Sequence, residues 1–371
     1  MMSQFKTICK IFFINICIFL ILMIFLEVLF GSWFKNNNWG SLLRSERSKE
    51  IPYEVKFNDQ NYQFTYKKNS YGFRGSEVPP EEIEVILVGG STTNERFTPL
   101  DLTISGQLNN QFKKDNLDIY IFNGGVDGQS TVGHIVNFKK WFSKIPNFKP
   151  KVIIFYIGIN ERFYYDFNPN PKNIYSFEFN TPHDFERMER TDTIEKLKDY
   201  IKNNSFFISK AKILKFKYFN KKKRFQDYSN FSLTYDLNSE IKGDFISQDK
   251  ADLFFNLDEL KKKDKNNFSK SLGERLKYLN KLTLDIGATP IFINQVMYNG
   301  QGNEVMYYTN YIIREFFIKN KDIIFIDLAK ISNLDIEDYY DEFHTKPSGS
   351  KKIAETIYPF LKFSLSKILL Q

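Results

Sequence analysis

The sequence predicts an α/β fold built on a parallel sheet, and three observations carry that expectation. Val85-Ile-Leu-Val88 runs through four apolar residues without alternating and stops at Gly89-Gly90, the pattern of a strand buried on both faces. From Glu84 onward such strands alternate with segments of helical period, the rhythm of βαβ units. Each chemically suggestive residue follows directly on a strand, where open α/β sheets place their ligands.

Composition sets the frame. The chain has 371 residues, 42% hydrophobic and 26% charged, enough for one large or two ordinary domains and unlike a disordered chain. A net charge of +8 suits an anionic surface such as lipid headgroups. No nucleic-acid motif accompanies it, so nucleic acid is not expected as a partner. The two cysteines, Cys9 and Cys17, lie in or near the first apolar run and leave the body no disulfide or thiolate metal site. Neither a metal nor a cofactor is expected.

Taken in order, the chain begins with a 20-residue apolar stretch, Ile11 to Phe30, interrupted only by Asn15 and Glu27 and preceded by Lys6 and Lys10. Its length fits a membrane-spanning helix, and Trp33 stands where an interfacial anchor would. A cleaved signal peptide would have a shorter apolar core and a small-residue cleavage site, so residues 1–34 read as an uncleaved signal anchor. The short leading tail favours a cytoplasmic N-terminus and an extracytoplasmic body, although Lys35, Arg44, Arg47 and Lys49 stand on the far side too. Residues 35–80 read as a polar connector with short extended pieces, of which Tyr62-Gln-Phe-Thr-Tyr66 alternates like an edge strand.

The main domain is expected over 81–371. After the first strand, Ile104, Leu108 and Phe112 mark one helical face. Ile119-Tyr-Ile-Phe122 is a second strand ending in Asn123-Gly-Gly-Val-Asp-Gly128, and Ile135, Phe138 and Phe142 mark the next helix. Val152-Ile-Ile-Phe-Tyr-Ile157 is the third strand, ending in Gly158-Ile-Asn160-Glu161. The rhythm then breaks over an insert at about 166–267, expected to hold helices and loops. Within it Lys210 to Arg224 carries eight basic residues and no acidic one. That segment reads either as a solvated basic helix or as one resting on anionic lipid. The rhythm resumes with a helix through Leu272, Leu276 and Leu279 closed by Gly287, then strand Pro290-Ile-Phe-Ile293 ending in Asn294 and Gln295. A helix over 304–319, strand Ile323-Ile-Phe-Ile326 and a last helix through Ile353, Ile357 and Phe360 complete it, with Asp338-Tyr-Tyr-Asp341-Glu-Phe-His344 just before that helix.

In a parallel sheet these strand ends face one edge, so Ser91, Gly128, Asn160 and the Asp341/His344 pair can converge. Ser91 alone reads as a nucleophile or as a helix N-cap. The pair changes the balance, because acyl transfer by serine needs a base, a carboxylate to orient it and donors for the oxyanion. His344 supplies the base and Asp341, three residues earlier, the orienting carboxylate, with Asp338 as its alternative. The Ser91 and Gly128 backbone N–H groups and the Asn160 amide supply donors. Asn294 and Gln295 are candidates to line the pocket, or else cap a strand end. His134 reads as structural, and His183-Asp184 has no serine block attached.

The four blocks resemble those of the SGNH hydrolases, the GDSL-type esterase and lipase superfamily. Gly-Gly-Ser91 is similar to the serine block, Asn123–Gly128 to the glycine block, Gly158-Ile-Asn160 to the G-x-N block and Asp341-Glu-Phe-His344 to the D-x-x-H block. The resemblance spans roughly 80–165 and 270–362. It implies a flavodoxin-like three-layer α/β/α sandwich with the anchor and the insert added. Two positions depart from the pattern: Gly90 stands where the family usually has Asp, and Glu161 where Asp is common.

The resemblance implies a membrane-anchored serine esterase or O-acyltransferase acting on acyl, chiefly acetyl, esters of a cell-surface glycan or lipid. The alternative from another class is a catalytically silent SGNH-like domain that binds a glycan or an assembly partner. A nucleotide-binding reading of Gly89-Gly90 would require G-x-G-x-x-G, whereas the sequence reads Gly-Gly-Ser-Thr-Thr-Asn.

Overall fold

A computed structural model describes residues 2–31, 33–34, 49–57, 60–165, 197, 201, 204–208, 210–211, 233–237, 255–264, 267–297 and 304–369. Most of the insert, including His183-Asp184 and Lys210–Arg224 beyond residue 211, lies outside the described residues. The chain divides into two compact units, residues 1–44 with 188–225 and residues 45–187 with 226–371.

The first unit is organised by α1 (Met2–Phe30), of which Gln4–Phe30 is long and apolar enough to cross a membrane. Its lone acidic residue, Glu27, is fully engaged. The carboxylate accepts the Trp33 indole N–H (3.0 Å), the Phe206 and Phe207 backbone N–H groups (2.8 and 3.2 Å) and the Ser205 hydroxyl. Phe30 and Phe206 pack beside this contact, with ring centroids 5.4 Å apart.

The second unit holds two sheets. Strands β1 (Lys49–Phe57) and β2 (Gln60–Lys68) pair antiparallel along their full length, inside the stretch whose sequence suggests a connector. Tyr62–Tyr66 does lie on an edge strand, as its alternation predicts. The neighbour of β1 on its other side arrives from far along the chain.

Strand β3 (Val85–Gly89) leads into the short helix α2 (Ser91–Asn94) and then α3 (Ile104–Lys114). Next come β4 (Ile121–Asn123), α4 (Thr131–Lys140) and β5 (Val152–Ile157). Strand β6 (Leu233–Asp236), inside the insert, pairs parallel to β1 and completes a three-stranded sheet in the order β2-β1-β6. The insert thus contributes a strand that its sequence does not announce.

Helices α5 (Leu257–Lys262) and α6 (Phe268–Asp285) precede β7 (Thr289–Asn294), and α7 (Glu304–Lys319) precedes β8 (Ile324–Ile326). A short helix, α8 (Leu328–Ile331), and the long α9 (Pro347–Leu369) close the unit. Strands β3, β4, β5, β7 and β8 form a wholly parallel sheet in the order β4-β3-β5-β7-β8. In terms of these five strands this is 2-1-3-4-5, the flavodoxin-like order.

The absence of alternation in the core strands has the expected cause: both faces are covered. Val85, Leu87, Ile154, Tyr156 and Ile291 face a core shared with Leu108 and Phe112 of α3 and Ile353, Ile357 and Leu361 of α9. The intervening Ile86, Val88, Ile153, Phe155 and Phe292 are equally buried on the opposite face. There Phe155 stacks on Phe292, which meets Phe317 of α7. At about 25 cal/mol per Å² of apolar area removed from water, burial in both layers stabilises the fold.

The small sheet is tied to the large one. Arg74 bridges Lys68 at the end of β2 and Asn123 at the end of β4, donating its backbone N–H to Asn123 O (2.9 Å). The buried face of the small sheet is aromatic: Tyr53, Phe57 and Tyr66 pack with Phe97, Tyr235 and Tyr340. Tyr340 belongs to the loop that bears His344, so this sheet supports the loop from one side.

Candidate active site

Of the candidate site residues, Ser91, His344 and Asp341 are brought together. Val85–Gly89 delivers Ser91 to the first position of α2, half-exposed at the carboxyl edge of the sheet. The loop before α9 brings His344 across from the other end of the chain. His344 Nε2 lies 2.7 Å from Ser91 Oγ. His344 Nδ1 lies 2.7 and 2.9 Å from the two Asp341 carboxylate oxygens.

Asp341 is held by its own turn, since Oδ1 also accepts the backbone N–H groups of Phe343 and His344, both at 2.8 Å. Burial pushes the Asp341 carboxyl up, but the His344 ring and these N–H groups outweigh it and hold the pKa below its ordinary value. An ionised Asp341 accepts from Nδ1–H, which leaves Nε2 as the acceptor facing the Ser91 hydroxyl. Tyr340 stacks on the His344 ring at 5.5 Å and 9° and restricts its rotation. Asp338 is not the orienting group: it is buried and salt-bridged to Lys352 at 2.7 Å.

Against Gly90, the residue before Ser91, the Asn160 amide donates one N–H to Gln129 O (2.8 Å), which fixes its plane. The second N–H of that amide is uncommitted among the described residues. Gly128 has φ +78, a conformation that suits glycine, and neither its N–H nor that of Ser91 meets an acceptor among the described residues.

Both departures from the family pattern have a physical reason. Any Cβ at position 90 would overlap the Asn160 amide nitrogen, so only glycine lets Asn160 approach the serine turn in this arrangement. Glu161 is fully buried and reaches to α4, where its carboxylate accepts the Thr131 backbone N–H (2.5 Å) and hydroxyl (2.8 Å). Arg275 of α6, also buried, closes the network. It donates from Nη2 to Glu161 (3.1 Å), from Nε to the Thr131 hydroxyl (2.7 Å) and from Nη1 to Ser271 (2.6 Å). A carboxylate at a helix N-terminus with a guanidinium beside it is well satisfied, and it anchors the turn that carries Asn160.

The two pocket candidates are linkers instead of lining. Asn294 donates to Asp327 (2.7 Å) and accepts the Ala329 N–H (3.0 Å), so it caps the end of β7 and is spent on the neighbouring helix. Gln295 is buried and joins two turns of the site. Its Oε1 accepts the Ile159 N–H (2.7 Å), while Nε2 donates to the Thr92 hydroxyl (2.9 Å) and Tyr156 O (3.0 Å). Their place after a strand is the only sequence signal they have, and it does not distinguish a linker from a ligand. Gln129, Arg275 and Glu95 carry no such signal.

His134, the remaining described histidine, is buried against Phe155 with neither ring nitrogen hydrogen-bonded. Burial lowers its pKa to about 3, which keeps it neutral and structural.

No family model and no curated protein matches the chain. Solved structures do. A lipolytic protein of the G-D-S-L family from Veillonella parvula is 10% identical, with a TM-score of 0.39, over 75% of this chain and 98% of that one. Another from Desulfitobacterium hafniense is 10% identical, with a TM-score of 0.37, over 75% and 99%. An acetyl xylan esterase, AlAXEase, is 12% identical, with a TM-score of 0.38, over 75% and 100%. What the second unit itself shows is a flavodoxin-like sheet of five parallel strands in the order 2-1-3-4-5, with Ser91 following β3 and hydrogen-bonded to His344.

Proposed function

We propose that the chain is a membrane-anchored serine esterase or O-acyltransferase acting on acyl, chiefly acetyl, esters of a cell-surface glycan or lipid. One observation carries the reading: Ser91, His344 and Asp341 form a continuous relay, with 2.7 Å from Oγ to Nε2 and 2.7 Å from Nδ1 to the carboxylate.

In the proposed reaction Ser91 Oγ attacks the ester carbonyl carbon as His344 Nε2 takes the hydroxyl proton. Asp341 stabilises the imidazolium and stays ionised. The negative charge on the former carbonyl oxygen is met by the N–H groups of Ser91 and Gly128 and the second Asn160 N–H. When the tetrahedral species collapses, the alkoxide leaves with the proton from His344 and the acyl group stays on Ser91. Water then regenerates the serine by the same steps in reverse, or a sugar hydroxyl does so and becomes acylated.

The apolar helix supports action at a membrane, with the body on the extracytoplasmic side, and the basic stretch Lys210–Arg224 suits anionic lipid. The test is covalent labelling of the purified protein with a fluorophosphonate. Expected is stoichiometric labelling that Ser91→Ala abolishes and His344→Ala slows by several orders of magnitude, in parallel with hydrolysis of an aryl acetate. A wild-type protein that neither labels nor hydrolyses would make the fold a binding domain.

A further inference from the structure

Glu95 is a buried carboxylate with no part in the chemistry above. It stands four residues after Ser91, donates its N–H to Ser91 O (2.8 Å), and ends α2 in the left-handed region at φ +43. Its backbone is pinned by Arg74, whose Nη1 donates to Asn94 O (2.7 Å) and Glu95 O (3.0 Å) while Nη2 donates to Thr98 O (2.8 Å). The carboxylate reaches two other elements. Oε2 accepts the Ile104 N–H at the start of α3 (2.8 Å), and Oε1 accepts the Ser350 hydroxyl of α9 (2.5 Å). Ser350 Oγ is also 2.9 Å from the hydroxyl of Thr345, the residue that follows His344.

We propose that Glu95 is a positioning residue that holds the Ser91 turn and the His344 loop in register through Ser350 and Thr345. The inference rests on the esterase reading, because only there does the separation of Ser91 from His344 matter. The hydrogen bonds run in one direction when the Glu95 carboxyl is ionised. Ser350 O–H then donates to a carboxylate that can only accept, and Thr345 O–H is the donor to Ser350. Ser91 and His344 lie 253 positions apart, and among the described residues no backbone bond joins their loops directly, so side-chain contacts set their spacing. A carboxylate suits that task better than a neutral group, since charge-assisted bonds are shorter and about twice as strong. Its surroundings are almost dry: burial pushes the carboxyl up to about 7, against the opposing effects of Ser350, the Ile104 N–H and the nearby Arg74.

A purely structural staple would affect stability alone. A positioning residue affects turnover, because a misplacement of about 1 Å lowers rate by as much as 10² while substrate binding is hardly changed. The experiment compares Ser350→Ala, Glu95→Gln and wild type, each as the full chain in detergent. Fluorophosphonate labelling rate, kcat and KM for an aryl acetate, and thermal midpoint are measured. Ser350→Ala removes the Ser350 contact but keeps the Ile104 bond, and Glu95→Gln keeps the shape while an amide N–H replaces one acceptor. Expected for both is a fall of about 10- to 100-fold in kcat and in labelling rate, with KM within about twofold. Should Ser350→Ala fail to fold, Glu95→Gln carries the same comparison. Variants that label and turn over at the wild-type rate, with only the thermal midpoint lowered, would overturn the positioning role and leave the esterase intact. A wild type that does not label would instead remove the esterase reading, and the positioning role with it.

Discussion

The Glu161–Arg275 pair allows a prediction with a worked magnitude. Both side chains are essentially inaccessible, at 0% and 2% exposed, so solvent screening does not weaken the pair. Replacing Arg275 by Met leaves a buried carboxylate with only the two Thr131 donors. Replacing Glu161 by Gln leaves a buried guanidinium facing neutral acceptors on Thr131 and Ser271. Stranding one member of a buried pair typically destabilises by about 3–5 kcal/mol. The Thr131 contacts that remain in each case place both single variants near the lower end of that range. In the double variant neither charge is stranded, and the amide oxygen introduced by Glu161→Gln can still accept the Thr131 N–H. The double change should therefore destabilise by less than the sum of the singles, with a coupling of at least about 2 kcal/mol. Urea unfolding of the full chain in detergent, followed through the buried Trp141, measures each corner of the cycle. Because Glu161 anchors the turn of Asn160, both singles should also lower kcat by about tenfold. Strictly additive singles, or a single variant that loses less than about 1 kcal/mol, would refute the account of Glu161 as one half of a buried pair.

Other outcomes follow from the same geometry. Gly90→Ala places a methyl against the Asn160 amide and should lower esterase turnover by about 10²–10³, the same as Asn160→Ala, with the double variant little worse than either; independent, multiplicative effects would break that link. For His134 the folded pKa of about 3 lies below the unfolded value of 6.5, so its contribution is complete above pH 6.5 and is lost as the pH falls toward 3. His134→Phe should flatten the fall in urea midpoint between about pH 6.5 and 4, where each unit is worth about 1.4 kcal/mol in the wild type; an unchanged slope would count against it. If α1 spans the bilayer, the chain should stay with membranes through alkaline and high-salt washes, and release by salt alone would return the attachment to its basic segment.

What is legible in the sequence is whatever its periodicity encodes. Val85–Val88, Val152–Ile157 and Pro290–Ile293 are buried on both faces, so their unbroken apolar runs announce strands and their ends announce a site. Ser91, Gly128 and Asn160 are readable for that reason, whereas Asp341 and His344, well beyond β8, are readable from their D-x-x-H spacing. Residues that act between elements have no such periodicity. Arg275 looks like any basic residue on a helix, and nothing local links it to Glu161 more than a hundred positions earlier. Asn294 and Gln295 show the reverse failure: a strand-end position singles them out, but both turn to other backbone and side-chain partners. Strand β1 escapes notice because Pro52 and its mixture of charged and aromatic residues blur the alternation, and β6 because four residues in a polar insert are too few to show a pattern.

The pairing of β1 with β6 bears on how this chain reaches its folded state. Tyr53 pairs with Leu233, so the hairpin of β1 and β2 is synthesised long before its third strand exists. Through that interval the inner edge of β1 displays unsatisfied N–H and C=O groups beside an aromatic face, the kind of edge that recruits strands from other chains. Closing so long a loop also carries a larger entropic barrier than forming the hairpin, which makes this pairing a late event in folding. The nascent protein is therefore most exposed to misassembly between the appearance of β2 and that of β6, and a holding chaperone acting in that window would raise its yield more than one acting after the C-terminal helix has been made.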